Sequence, residues 1–561
     1  MKNDFENCSL YLKELDSLDR FLVIKATQHL SENELQKYIS IFSKRQDFLF
    51  SFTHNISQKN TLLDLKENAI EQTCYNNILF YKGFLLGIVE QTKHLAALDS
   101  SNYEKFNLHR SYLRCLAQQY SKVIGERDSN YVVDLEMKAN VLEKDLAKSM
   151  LLFQTKIQQA RWQDVQNKLK RNEAAIEFVH YQYSKGGIAD STYYAALIIT
   201  KDMKNPYFCP LFEKSKLNAF FLIKGDQKVD YVNALYTIPD RGFVHQGDNI
   251  TTMYELLWKP LEGQLKGINR IYFSPSGLLH RINLNAVPIS NEETLADRYQ
   301  FIELNSTRKL LDDNEIIINN NDAVLYGGIN FEKDTTLSKM ESTSNDVAMA
   351  SRSVSEFSFN SIDSTLRGGS WAYLLGTERE VNALEKIMQS AKVSVKLVKG
   401  FAATEESIKS IGKNKMPSPR MLHIATHGFF FPDPKVNTVF GSLNNQESNV
   451  FKTSDHPMMR SGLIMSGGNA AWNKMNSSND KEDGILTAYD LQRAFKIAGA
   501  KYLIMSLWQV PDKQTSLLMT TFYKKWLLEK LSIPQAFQGA QKELRDLGFD
   551  PYQWAGFVLV E

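Results

Sequence analysis

Met421-Leu-His-Ile-Ala-Thr-His-Gly428 is a short apolar run that carries two histidines and closes on a glycine. Ile424, Ala425 and Thr426 favour a strand here, because β-branched and apolar residues suit a pleated, buried surface. Runs of the same kind occur upstream at Arg270-Ile-Tyr-Phe-Ser274, Ala323-Val-Leu-Tyr-Gly327 and Val393-Ser-Val-Lys-Leu-Val398. Helical segments alternate with them, over 377–389 and 405–411. Alternation of this kind implies an α/β fold, a mostly parallel sheet with helices on both faces. Ala174-Ala-Ile-Glu-Phe-Val-His-Tyr181 and Tyr193-Tyr-Ala-Ala-Leu-Ile-Ile-Thr200 flank Gly186-Gly187 and predict a hairpin. The segments 332–369 and 442–479 are rich in Ser, Thr, Asn and Asp and read as loops, the second interrupted by the strand Gly462-Leu-Ile-Met465.

The strand end at His427-Gly428 is where the chemistry concentrates. Side chains at the C-terminal edge of a parallel sheet face the usual ligand crevice. His423 and His427 would share one face of a helix and suit a metal, but on a strand four residues span roughly 13 Å, too far for one ion. No metal or other cofactor is therefore implied. A histidine at a strand end is commonly a packed or capping residue. The glycine beside it admits a ligand to the backbone and leaves an N–H for an oxyanion.

The first 165 residues have a different texture. They are rich in Leu, Glu, Lys and Gln, and no proline occurs before Pro206. Ile78, Leu79, Phe84, Leu85, Val89 and His94 recur at helical spacing over 76–98, as do Leu135, Ala139, Leu142, Leu146 and Met150 within 132–168. A helical bundle follows, with a partner-binding solenoid as the alternative; no fixed repeat period is present. The whole chain has 561 residues, a net charge of +2 and no run of eighteen apolar residues. Those values give no support to nucleic-acid or membrane partners. The N-terminus lacks the apolar run of a signal peptide. Cys8, Cys74, Cys115 and Cys209 are scattered without a CxxC pair, which fits reduced thiols in a cytoplasmic protein.

More segments belong with the histidine run: Leu375-Gly-Thr-Glu-Arg-Glu-Val381, Thr404-Glu-Glu-Ser407, Gly484-Ile-Leu-Thr-Ala-Tyr-Asp-Leu491, Ala498-Gly-Ala-Lys-Tyr-Leu-Ile-Met-Ser-Leu-Trp-Gln-Val-Pro-Asp512 and Pro551-Tyr-Gln-Trp-Ala-Gly-Phe557. Leu257-Trp258, Ser274-Pro-Ser-Gly-Leu278 and Asp297-Arg-Tyr299 precede them. In this order they resemble the CHAT domain, a bacterial relative of the caspases named for its association with TPR repeats. The resemblance covers about 173–561. It implies a helical region at 1–165 with degenerate TPR-like repeats, an N-terminal α/β half at 166–320, and a caspase-like half at 321–561.

The resemblance implies a cysteine endopeptidase acting on protein or peptide substrates. His427 takes the place of the family's catalytic histidine, and the Gly428 N–H that of half an oxyanion hole. Ser506 and Trp508 fall where the family has its substrate-pocket wall; a strand-end hydroxyl and a core aromatic are the structural readings. The family carries its nucleophilic cysteine at a strand end between the Tyr-Asp-Leu helix and the Ala-Gly-Ala-Lys strand. Here Asp490-Leu-Gln492 runs directly into Arg493-Ala-Phe-Lys-Ile-Ala-Gly499, and no cysteine follows Cys209. An in-frame deletion or a faulty gene assembly explains loss of a whole strand better than a pseudo-enzyme, which needs one changed residue. The helices beside the gap are expected to fuse over 488–498 with Thr487 as N-cap. Strands 421–426 and 502–508 are then expected to become neighbours. Two functions remain open, a defective endopeptidase and a non-catalytic scaffold with a protein partner on its helical region.

Overall fold

The structure is a computed structural model. It describes residues 2–59, 70–84, 87–88, 99–120, 127–149, 160–185, 188–221, 232, 235–238, 252–312, 320–332, 371–412, 417–430, 461–473, 485–487, 491–508 and 510–561. Up to residue 168 the described residues form helices only: α1 (Lys2–Ala26), α2 (Glu32–Ser40), α3 (Ser43–Lys59), α4 (Ile70–Tyr81), α5 (Ser100–Tyr120), α6 (Ser129–Ser149) and α7 (Trp162–Lys168). Helix α2 starts at Ser31, whose backbone N–H donates to Glu34 Oε2 at 2.8 Å and so gives one orphan donor a partner. The loop expected over 332–369 lies almost wholly outside the described residues.

Strands β1 (Glu173–Lys185) and β2 (Ile188–Thr200) pair antiparallel, as the hairpin reading requires. Successive side chains on a strand point to opposite faces. Ala175, Val179, Leu197 and Ile199 accordingly pack on Leu49, Cys74, Ile78 and Leu79 of the helical region. Ala174, Ile176, Phe178, Ala196 and Ile198 face the other core. Both faces are covered, which explains why the two strands read as near-continuous apolar runs.

The hairpin belongs to a seven-stranded sheet ordered β12-β13-β5-β4-β1-β2-β3, built with β3 (Tyr207–Glu213), β4 (Arg270–Ser274), β5 (Gln300–Glu303), β12 (Leu503–Ser506) and β13 (Phe557–Val560). It therefore draws strands from both sides of residue 320. A second sheet, β7-β6-β8, is all parallel and consists of β6 (Asp322–Ile329), β7 (Ser394–Gly400) and β8 (Met421–Ile424). The third is antiparallel: β9 (Gly428–Phe430), β10 (Ser461–Ile464) and β11 (Ile485–Thr487). One expectation fails here. β8 is bonded to β6 and β12 to β13, so the strands on either side of the missing segment do not pair with each other. Thr487 ends β11 opposite Gly462, and the helix is described over Leu491–Ala498; residues 488–490, where the longer helix was expected to begin, lie outside the described residues.

One helical layer spans the first two sheets. It comprises α8 (Leu375–Ser390), α11 (Asp512–Leu527) and α12 (Ile533–Asp546); α9 (Glu405–Lys409) and α10 (Leu491–Ala498) lie elsewhere in the chain order. α8 packs on β6 and β7, α11 lies between α8 and α12, and α12 packs on β5. A Cβ on Gly376 would meet the Asp512 Cβ at 2.4 Å, so only glycine lets the two helix starts come this close. The far ends of α8 and α11 also meet, around Ala391, Trp526 and Leu527. The two helices are thus parallel.

A buried polar network joins the helical region to the sheet. Lys82, just after α4, donates from Nζ to Glu177 Oε2 (3.0 Å), Phe178 O (3.0 Å) and Ser274 O (2.9 Å). Glu177 Oε1 in turn accepts from the Thr307 N–H (2.6 Å), Thr307 Oγ1 (2.8 Å) and Ser306 Oγ (3.1 Å). All three ammonium protons and the carboxylate are satisfied, the condition under which a buried ion pair is tolerated. Glu303 at the end of β5 is fully buried beside this network. Desolvation pushes its carboxyl up to about 8, against the pull of Lys82 and Lys496.

Candidate active site

His427 follows β8 and is fixed by its backbone before its ring matters. The β6 ladder ends with the Ala425 N–H donating to Tyr326 O at 2.8 Å. Thr426 Oγ1 then donates to Ile464 O (2.5 Å), and the Ile464 N–H returns to His427 O (2.9 Å). This hands the chain from the parallel sheet to the antiparallel one at the strand end where α/β proteins place their sites.

The imidazole sits between two aromatic rings, with centroids 5.1 Å from both Phe331 and Trp371. His427 Nε2 lies 2.8 Å from Ala372 O. A carbonyl can only accept, so Nε2 carries the proton. Burial lowers the ring's pKa below the ordinary 6.5, opposed by the Ala372 carbonyl. In the neutral ring Nδ1 therefore bears the free lone pair. That is the state of a general base whose other nitrogen is already held.

The cradle is itself held by Asn469, which is 2 % exposed. Its backbone N–H donates to Phe331 O (2.9 Å), its Oδ1 accepts from the Trp371 N–H (2.5 Å), and its Nδ2 donates to Glu332 Oε1 (2.7 Å) and Trp371 O (3.1 Å). One amide thus clamps the segments that carry both aromatic walls. Tyr120 of α5 packs against the same cluster from the helical region. None of Phe331, Trp371, Ala372, Asn469 or Tyr120 was legible as a site residue. Phe331 follows β6, Trp371 and Ala372 share one segment, and Asn469 lies in the short helix Gly468–Asn473; only the fold brings these three places together, and a carbonyl acceptor has no sequence signature.

Gly428 opens β9 opposite Leu463. The bond from Ile464 N to His427 O makes Gly428 and Leu463 a non-hydrogen-bonded pair, so the Gly428 N–H points away from β10. His423 is used otherwise: its Nε2 is 2.8 Å from Glu380 Oε1 and its ring lies edge-on to Tyr523. Ser506 is an exposed residue at the end of β12. The Trp508 indole N–H donates to Tyr552 O at 3.0 Å, and its ring stacks on Tyr552. Trp508 is thus packed into the wall formed by Tyr236, Tyr552 and Gly556.

The thiols lie elsewhere. Cys209 is buried in β3, at the opposite edge of the seven-stranded sheet from β12, six strand spacings or roughly 29 Å away. Burial pushes its thiol up to about 11. Cys74 is buried in α4, 3.1 Å from Thr53 Oγ1, and its thiol is raised as well. Cys8 is in α1. Cys115 is in α5 beside Tyr131, five residues and roughly 7–8 Å of helix from Tyr120.

Helix-covered sheets behind an all-helical first region define a mixed α/β class of protein. The sequence profile of the CHAT domain matches residues 248–561, more than half of the chain. The chain belongs to the CHAT domain family. No curated protein matches it. Among the described residues, no helix is long and apolar enough to cross a membrane.

Proposed function

We propose that this chain is a catalytically defective relative of the caspase-like endopeptidases, one that keeps the histidine of the site but cannot cut peptide bonds. One observation carries the reading: His427 Nδ1 has the lone pair of a base, and no cysteine of the chain follows Cys209 to give it a proton. In a cysteine peptidase the histidine draws the proton from a thiol within about 3–4 Å and later returns it to the leaving amine. Cys209 and Cys74 are raised thiols in apolar surroundings, which keeps them protonated and inert. The Gly428 N–H is one donor where an oxyanion needs two, and loss of one donor costs roughly a hundred- to thousand-fold in rate.

The test is cleavage of a broad peptide library by the full chain, with and without iodoacetamide, beside His427→Ala. The reading expects no cleavage above background in any arm. Cleavage abolished both by the alkylator and by the substitution would overturn it.

A further inference from the structure

We propose that Ser276 and His180 form a second nucleophilic site, a hydroxyl–imidazole pair that takes the acyl group of small activated esters onto Ser276 Oγ. Ser276 follows β4 and opens the short 3-10 helix Gly277–Arg281. β4 runs parallel to β1, and their pairing ends at Glu177 and Ser274. β1 continues beyond that point and carries His180 past the C-terminal end of β4, the edge where α/β proteins place their sites. His180 Nδ1 lies 2.7 Å from Ser276 Oγ. The pair belongs to the seven-stranded sheet, apart from His427, and does not depend on the function proposed for that histidine.

The backbone explains why this hydroxyl meets an imidazole. Ser276 has the extended backbone of a helix N-cap, where a serine usually turns its oxygen to the N–H two or three residues on. Here the Leu278 N–H donates to Tyr194 Oη at 2.9 Å and the Leu279 N–H to Ser276 O at 3.1 Å. Tyr194 is the cross-strand partner of His180 on β2, so one hairpin position supplies both the imidazole and the phenol that relieves Ser276 Oγ of capping. Gly277 sits at φ +56°, and a Cβ there would meet Tyr194 Oη at 2.6 Å and His180 Nδ1 at 3.1 Å. Only glycine lets the turn come this close.

Burial and the positive charges of Lys214 and Lys82 hold the His180 pKa below 6.5, so the ring is neutral at neutral pH. With its proton on Nε2, the ring accepts the Ser276 hydroxyl at Nδ1. His180 and Gly277 are exposed and Ser276 is half-buried, so an ester carbonyl can reach Oγ. The bond from Oγ to the acyl carbon forms as the hydroxyl proton passes to Nδ1, and the ester oxygen leaves as the alcohol when that proton is handed to it. Water then attacks the acyl-serine, His180 takes a proton from it and returns one to Oγ, and the carboxylic acid departs. Peptide amides, whose leaving groups are far poorer, lie outside this chemistry.

The experiment treats the full chain with a fluorophosphonate, which phosphonylates an activated serine, and separately with p-nitrophenyl acetate. Peptide mapping by mass is expected to place the phosphonyl adduct on Ser276, and its rate should rise with pH along a titration whose midpoint lies below 6.5. Ser276→Ala should abolish that adduct, and His180→Ala should slow both it and p-nitrophenol release by at least about tenfold. Iodoacetamide should change neither rate, which keeps the result separate from any thiol at His427. Ser276→Cys, close in size, should react with iodoacetamide at least about tenfold faster than the same substitution combined with His180→Ala. No adduct on Ser276, or one that forms as fast without His180, would overturn the proposal and leave the bond as a pin for the turn. Equal alkylation of the two Ser276→Cys proteins would overturn it as well.

Discussion

At the scale of single residues, the account turns on how one imidazole is held. Nε2 is committed to Ala372 O, two rings limit its tilt, and Asn469 holds the rings' backbones. Two outcomes follow. Long-range nitrogen–proton NMR of His427 should show the Nε2–H tautomer and a pKa below 6.5. A histidine whose folded pKa is lowered loses stability as the pH falls below its unfolded value, so His427→Gln should flatten that acid limb. A pKa above 6.5 would contradict the burial argument. Asn469→Ala removes the side-chain bonds to Trp371 N–H, Trp371 O and Glu332 inside the protein and should destabilise by about 1–3 kcal/mol in urea unfolding. His423 shows why a histidine alone is ambiguous. It lies four residues from His427 on the same run, yet its ring is hydrogen-bonded to Glu380 of α8.

Secondary-structure elements carry the next argument, because Lys82 ties α4 to β1 and β4. Removing one partner of a buried pair costs about 3–5 kcal/mol. Lys82→Met should therefore lower stability by about that much, and the Lys82→Met, Glu177→Gln double variant should recover part of it. Glu303 gives a pH signature. Its folded pKa of about 8 lies above the ordinary 4.5, so the folded state binds its proton more tightly. Stability should fall as pH rises from about 4.5 to 8, and Glu303→Gln should remove that slope. Thermal unfolding across this pH range checks it, and an unchanged slope would contradict it. Most elements were legible in the sequence because apolar runs of four to eight residues between turn residues leave few alternatives. β8, β6, β7 and α8 follow from such runs. That Thr487 ends a strand was not legible, since only the partner strand β10 marks it as one.

For the whole molecule, the order of strands was not legible. The sequence implies that a strand is lacking between Gln492 and Arg493, and closing the gap was the expected response. Instead β8 keeps β6, β12 keeps β13, and one helical layer spans both sheets. The reason is energetic. α8, α11 and α12 pack their buried faces against each other and on both sheets, so drawing the strands together would break that contact. Of the candidate site, His427 and Gly428 stand out in the sequence as a motif, whereas the residues packed around them come from three distant segments.

The central claim is that His427 is a prepared base without a thiol to serve. Its most direct test is intact-mass analysis of the native chain treated with a peptidyl acyloxymethyl ketone, which alkylates a cysteine only when that cysteine is activated. The account predicts no adduct on Cys8, Cys74, Cys115 or Cys209 beyond the level seen with His427→Ala. An adduct that forms on the native chain and disappears with His427→Ala, on Cys115 for instance, would contradict it.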